Sequence, residues 1–375
     1  MTTARLAPRW AAGLLLWLLS IGTTACGATG MDSTSAAAAS IGDGPVVAGP
    51  GQAAQLRLGY FANVAHAVPV IGIGDGSYRR TLGATKLSTQ IFAAGPDAVR
   101  ALLAGVVDAA YIGPNPAITA FLRSNGEAVR IVAGAASGGA GLVVQPHISD
   151  VSQLAGQVVA DPQRGGTQDL ALKSYLTAHG LAWQGSGTRT VDLVSQSNAM
   201  TFALFKRGRV AAAWLPQPWV ARLVAAGGRV LVNERSLWPR GTFATTDLVV
   251  SASYLRKYPH TVSALLTAQV ATTRGITRDR SRAVRLLRTD LIALTGSRLP
   301  DAVLRSALAD VDIGWDPDAS TLRTLARHAV QVGVLSEIPD LRGIFDLSVL
   351  NRVLQQLRLP TVSDAGLDVT TGGTR

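Results

Sequence analysis

Short apolar runs of strand length alternate with helical patterns from residue 56 to about residue 250, and helical patterns dominate after that. Leu56-Arg57-Leu58-Gly59-Tyr60-Phe61 reads as a strand that ends in polar, flexible residues. Pro69 to Gly74 starts a helix, and Lys86 to Phe92 is the next strand. Gly95-Pro96-Asp97 opens a helix over 97–104 whose apolar positions are Val99, Leu102 and Leu103. Val106 to Ile112 reads as a strand that stops at Gly113-Pro114-Asn115-Pro116; a helix to Leu122 and a strand, Val129 to Ala133, follow. Around Gly141 to Gln145 the chain leaves this unit. A second unit has strands at Val158–Ala160, Thr190–Val194 and Val210–Trp214, and helices at Thr167–Ala178, Ala199–Phe205 and Val220–Ala225. Asp247 to Val250 is a further strand, and Tyr254 to about Leu359 is almost wholly helical. This alternation predicts two α/β lobes, each a mainly parallel sheet flanked by helices, with extra C-terminal helices and a cleft between the lobes. The expected boundaries are 56–145 for the first part of lobe I, 146–246 for lobe II, and 247–360 for the return strand and C-terminal helices.

The first residues do not fit this pattern. Arg5 and Arg9 precede an apolar run, Trp10 to Leu19, and a small-residue stretch, Gly22-Thr23-Thr24-Ala25-Cys26-Gly27. A short basic region, a core of about 7–15 apolar residues and a small-residue end describe a secretory signal over 1–25. A membrane span needs about 20 residues. The lone Cys26 directly behind this run resembles a bacterial lipobox, in which that cysteine is lipidated, although Thr23 stands where Leu is usual. A buried free cysteine is the plainer alternative. Residues 26–55, rich in Gly, Ala, Ser and Pro, read as a flexible tether, and 361–375 as a disordered tail.

Composition narrows the function. Hydrophobic residues make up 47% of the 375, with 16% charged, which rules out global disorder. One cysteine rules out an internal disulfide framework and a Cys-rich zinc site. The five histidines include no pair at helical ligand spacing, so neither a metal nor another cofactor is expected. No G-x-S-x-G elbow, His-Glu-x-x-His or P-loop is present, and Gly72-Ile73-Gly74-Asp75-Gly76 lacks the third glycine and helix of a dinucleotide site. An enzyme is therefore not expected. The net charge is +11, and arginines crowd Arg274 to Arg288. Behind a secretory signal this is a solvated basic helix, or one drawn to anionic lipid or a membrane partner, rather than a nucleic-acid surface.

Four segments carry a resemblance. They are Leu58 to Ala67; Ala94-Gly95-Pro96 with Ala104 to Ala117; Gly165-Gly166-Thr167-Gln168-Asp169; and Ala212 to Trp219. Together, over roughly 55–360, the chain resembles the solute-binding proteins of ABC importers in the nitrate/sulfonate/taurine group. Within it the chain looks most like the actinobacterial aliphatic-sulfonate type, related to thiamine-precursor-binding proteins. The resemblance implies a two-lobed, type II periplasmic-binding-protein fold. It implies an extracytoplasmic lipoprotein, expected as a monomer, that takes a small anionic or sulfonate-like ligand between its lobes and delivers it to an ABC permease. A thiamine precursor or other heterocycle is the alternative ligand. A pyrimidine-synthase-like enzyme and a sensor ectodomain are the other classes.

In open α/β sheets ligands bind beyond the carboxyl ends of strands, at helix N-termini. That rule selects Asn63 and His66 after the first strand, Gly113 and Asn115 after the third, and Gly166, Thr167 and Gln168 at the second lobe's first helix. It adds Gln217 and Trp219 at Trp214-Leu215-Pro216-Gln217-Pro218-Trp219, with Ser137 on the cleft floor and Asp247 at the return. Each has a bland alternative: a structural histidine, an ordinary turn, a helix cap, or core packing for Trp219. The family often has an acid where this chain has Gln217, so the neutral amide favours an anion; Asp247, where relatives carry His, pushes the other way.

Overall fold

The computed structural model describes residues 49–368; the signal segment, Cys26 and most of the expected tether lie outside the described residues. The chain runs β1 (Gln55–Tyr60), α1 (Ala67–Gly74), α2 (Ser77–Leu82), β2 (Lys86–Ile91), α3 (Gly95–Leu103), β3 (Ala109–Ile112), α4 (Pro114–Arg123) and β4 (Val129–Gly138). It continues through β5 (Ala140–Val144), β6 (Val158–Asp161), α5 (Thr167–Ala178), β7 (Asp192–Ser195), α6 (Asn198–Lys206), β8 (Ala212–Pro216), α7 (Trp219–Ala225) and β9 (Arg229–Asn233). Then follow β10 (Ala244–Ser251), α8 (Ala252–Lys257), α9 (Pro259–Arg278), α10 (Arg280–Thr295), α11 (Asp301–Ala309), β11 (Val311–Ile313), α12 (Ser320–Gln331) and α13 (Ser348–Gln356).

Two sheets result, in the orders β11-β4-β10-β3-β1-β2 and β7-β6-β8-β5-β9. In the first, β1 pairs parallel with β2 and β3, while β10 pairs antiparallel with β3 and β4. In the second, β6 pairs parallel with β7 and β8, while β5 is antiparallel to β8 and β9. Both sheets are therefore mixed rather than mainly parallel as expected. β10 and β11 in the first and β5 in the second pair antiparallel with their neighbours, because the chain crosses between the lobes on entering β5 and β10. Helices cover the faces as the βαβ crossovers of the parallel pairs require. One large apolar cluster fills the first lobe, and two smaller ones cover the second sheet, Trp214 in one and Leu215 in the other. Burying each such side chain stabilises by roughly 1.5–3 kcal/mol.

The lobes join at two places. β4 passes into β5 through Gly138 and Gly139, both at φ 74°. A Cβ at the first would overlap the Arg235 guanidinium, and one at the second would overlap Val311, so only glycine makes this turn. The return runs from Asn233 to Ala244, where the Trp238 and Phe243 rings stack at 5.6 Å.

The lobe boundaries differ from the expectation. The second sheet spans Ala140 to Asn233, so β5 belongs to lobe II and Ala244–Thr246 to lobe I. The strand at 129–133 extends to Gly138, because β10 and β11 both pair with its far half. Ordered structure also reaches beyond 56–360. The Ala53 N–H donates to Thr261 Oγ1 at 2.8 Å, the Val362 N–H to Asn351 Oδ1 at 2.9 Å, and Leu367 is buried.

Candidate functional site

The carboxyl ends of strands from both sheets meet around a cavity of about 40 Å³. Its walls come from the turns after β1, β2, β3 and β6 and from the first residues of α6, with Pro216, Thr245 and Thr246 closing it. A wider mouth of about 440 Å³ adjoins it; Phe61, Asn63, Gln163 and Asn198 line both.

Helix ends dominate this chamber. Helices α3 and α4 from lobe I and α5 and α6 from lobe II all begin at the lining. Ala94, Gly113 and Gly166 occupy the N-cap positions of the first three, and none supplies a side-chain cap. A Ser, Thr, Asp or Asn cap is worth about 1 kcal/mol. Three helices forgo it where they face the same space. Proline at positions 96, 114 and 116 removes N–H groups from α3 and α4, which leaves Gly95 and Asp97 in α3 and Asn115 in α4 with N–H groups that have no intrahelical acceptor. At α5 the N–H groups of Thr167, Gln168 and Asp169 have no intrahelical acceptor. The Gly165 turn before it is held by its N–H donating to Asp169 Oδ2 at 2.8 Å, and Lys173 pairs with Asp169 at 2.7 Å one turn on.

The lining carries no Asp, Glu, Lys or Arg. Its one titratable side chain is His66, whose pKa burial lowers to about 3, so the ring is neutral. His66 Nδ1 accepts from the Phe61 N–H at 3.3 Å and the ring lies tilted against Phe61 at 4.3 Å; that bond leaves the proton on Nε2 as a donor. Gln163 Oε1, Thr167 Oγ1, Asn198 Oδ1 and Thr246 Oγ1 are buried there without hydrogen-bond partners. Helix N-termini, the Thr167 and Thr246 hydroxyls and the imidazole N–H thus offer donors without a formal charge, while the Gln163 and Asn198 amide oxygens offer acceptors beside them.

The lobes touch. Asn115 Nδ2 donates across to the Gly165 carbonyl at 3.1 Å, and Gln163 Nε2 lies 3.4 Å from Asp97 Oδ1. A Cβ on Gly113 would overlap Thr167 Oγ1.

Of the sequence-selected residues, Asn63, His66, Gly113, Gly166, Thr167 and Gln168 line the chamber. Trp219 lines the mouth, against Phe202 at 6.2 Å and under the Arg222 guanidinium at 4.1 Å. Four lie elsewhere. Asn115 is spent on the bond between lobes. Ser137 Oγ donates to the Phe243 carbonyl at 2.8 Å and accepts from its N–H at 3.1 Å, which ties β4 to the return segment. Gln217 bridges the Ala221 N–H and Asp310 Oδ2. Asp247 lies opposite Gly134 in the β4–β10 ladder, beside the Asp316–Asp318 loop; burial and those two acids push its carboxyl well above the usual range. Sequence reasoning did not single out Gln163, Asn198, Thr245 or Thr246. The first two follow β6 and β7, and the strand-end rule applied to those strands points to them.

Residues 49–286 match the model of the NMT1-like family. The chain belongs to this family. No curated protein matches the chain. The alkanesulfonate-binding protein SsuA of Xanthomonas axonopodis pv. citri, solved with MOPS, is 22% identical with a TM-score of 0.62, over 77% of this chain and 95% of that one. The periplasmic aliphatic sulphonate-binding protein SsuA of Escherichia coli is 21% identical with a TM-score of 0.60, over 79% and 91%. The periplasmic nitrate-binding protein NrtA of Synechocystis PCC 6803 is 16% identical with a TM-score of 0.68, over 82% and 90%. This NMT1-like chain therefore has the two-lobed fold of periplasmic binding proteins, as its resemblance implied.

Proposed function

We propose that this NMT1-like protein is the extracytoplasmic solute-binding component of an ABC importer. It captures a small anion such as an aliphatic sulfonate, taurine or nitrate by lobe closure and delivers it to a permease. One observation carries the reading: uncapped helix N-termini from both lobes face one chamber whose lining holds no charged side chain. An anion there accepts hydrogen bonds from both lobes at once and favours the closed state by that difference. The names of the solved neighbours, alkanesulfonate-, sulphonate- and nitrate-binding, agree with such a ligand.

The shape favours a sulfonate over nitrate. The chamber of about 40 Å³ suits an oxyanion group alone, and the mouth offers Phe61, Phe92 and Trp219 to an organic tail. Binding to the native state alone stabilises by about 2.7 kcal/mol at a roughly hundredfold excess over Kd. Thermal unfolding with alkanesulfonates, taurine, nitrate and a hydroxymethylpyrimidine tests this. A raised Tm with sulfonates supports it; a shift with the pyrimidine alone replaces it with the thiamine-precursor reading. Lipid attachment at Cys26 belongs to the same proposal.

A further inference from the structure

A second cavity, of about 200 Å³, lies at the other end of α5. Its walls are Ser174 and Tyr175 of α5 and His179 just beyond it in lobe II, Glu234 and Trp238 of the return segment, and His328 of α12 in lobe I. Tyr175 stands eight residues along α5 from Thr167, so the cavity is about 12 Å from the chamber.

Two buried polar groups stand in this lining, and one of them has no partner among the described residues. Glu234 is 2% exposed; its Oε2 accepts from Trp214 Nε1 at 2.8 Å, and burial pushes the carboxyl up to about 7 although the Trp214 and Trp238 indoles both favour its charged form. Ser174 is 8% exposed, and its buried Oγ has no hydrogen-bond partner. Around them stand aromatic rings: His179 lies 4.2 Å from Tyr175, and His328 lies 5.8 Å from Trp238. An anion here would keep Glu234 protonated or meet its charge in a dry setting. A purely apolar molecule would leave Ser174 Oγ unmatched and would keep the Glu234 carboxyl without a counter-charge. An ammonium donates to Ser174 Oγ, gives Glu234 a counter-charge that favours its ionised form, and presents its charge to aromatic faces.

We propose that this cavity is a second ligand site, for a small organic amine whose ammonium meets Glu234 and Ser174 Oγ and whose body lies between Tyr175 and Trp238. Drug-sized ligands occupy about 300–1,000 Å³. The smaller volume restricts this site to a metabolite-sized amine. Both lobes supply walls, and α5 carries the chamber at its N-terminus, so amine binding and lobe closure are linked and the linkage is reciprocal.

Calorimetry on the full chain with benzylamine, benzyl alcohol and benzoate tests the proposal. Benzylamine is expected to bind in the millimolar range or better, with the alcohol and the acid at least about tenfold weaker. Glu234→Gln keeps an acceptor for Trp214 Nε1 and should lower benzylamine affinity at least about tenfold, since a hydrogen bond to a charged group is lost. Ser174→Ala removes a group without a partner, so it folds, and it should weaken the amine several-fold. No binding of benzylamine, equal affinity in wild type and Glu234→Gln, or benzyl alcohol binding as tightly as benzylamine would each overturn the site.

Discussion

Asn115 on α4 and Gly165 before α5 join the two lobes through one hydrogen bond, Nδ2 to carbonyl, 3.1 Å long. The bond spans the cleft, so it favours the arrangement in which the lobes meet, and Asn115 is not part of the chamber lining. A neutral hydrogen bond contributes about 0.5–1.5 kcal/mol net. Asn115→Ala should weaken ligand binding roughly two- to tenfold, with little change in the Tm of the unliganded protein. Calorimetry alongside thermal unfolding checks it. A large fall in unliganded Tm with unchanged affinity would make Asn115 a packing residue of lobe I.

Asp247 is fully buried, and neither carboxylate oxygen has a partner. Its folded pKa is raised well above its unfolded value by burial and by Asp318 and Asp316. The unfolded chain therefore loses that proton first, and stability falls as pH rises above about 4. Asp247→Asn removes this dependence. It should raise Tm at pH 7, with a gain that shrinks toward pH 4. Urea unfolding at pH 4, 5.5 and 7 reads the trend; a gain that is absent at pH 7 contradicts it.

How far the sequence led can be seen in particular elements. The span Thr167–Ala178 was readable because Gly165-Gly166 and the helical pattern mark its start, and the structure has α5 over those residues. The three-residue β11 was hidden, since nothing in Val311–Ile313 differs from the surrounding helical pattern; pairing with β4 makes it a strand. β5 is Ala-Gly-Leu-Val-Val, too short to show which sheet it joins, and that depends on its partners β8 and β9. The site behaves likewise. Strand-end positions such as Gly113 and Thr167 follow from local order. Whether Gln217 faces a ligand or Asp310 depends on α11, nearly a hundred residues away. Asp247 turns on the register irregularity between Thr246 and Asp247, which no local pattern reveals.

His66 gives a pH signature of the chamber. Its pKa is about 3 in the folded protein because burial opposes the charged ring, against 6.5 for an ordinary histidine. The unfolded chain takes up the proton first, so the contribution of neutral His66 is present above about pH 6.5 and is lost as pH falls toward 3. The slope is about 1.4 kcal/mol per pH unit within that window. His66→Gln should be less stable than wild type at pH 7, and the gap should narrow at pH 6 and again at pH 5. A constant gap in urea unfolding would place the imidazole in solvent.

Cys26 directly follows the apolar segment and small residues that read as a lipoprotein signal. Cys26→Ala should move the protein from membranes to the soluble fraction. Cell fractionation with a salt wash checks this, and a variant that stays with the membrane removes the lipid anchor from the proposal.

Gly113 and Thr167 offer the sharpest test of closure. The Gly113 backbone lies at φ −74° and ψ 161°, where alanine is comfortable, so Gly113→Ala strains nothing within lobe I. The added Cβ would overlap Thr167 Oγ1 on the opposite lobe, and Thr167 Cβ would stand 3.2 Å away. The substitution should therefore leave unliganded stability within about 0.5 kcal/mol, as neutral substitutions do, and hold the cleft open. Ligand affinity should fall at least about tenfold, and solution scattering should show a larger radius of gyration in the presence of ligand than wild type has. Thr167→Ala alone should weaken binding roughly ten- to a hundredfold if its hydroxyl donates to an anion. In Gly113→Ala/Thr167→Ala the overlapping oxygen is gone, so the combined loss should be smaller than the sum of the two single losses, by about 0.5–3 kcal/mol of coupling. Additive losses would mean that the two residues do not meet in the liganded state, and the anion would then have to sit elsewhere than between α4 and α5.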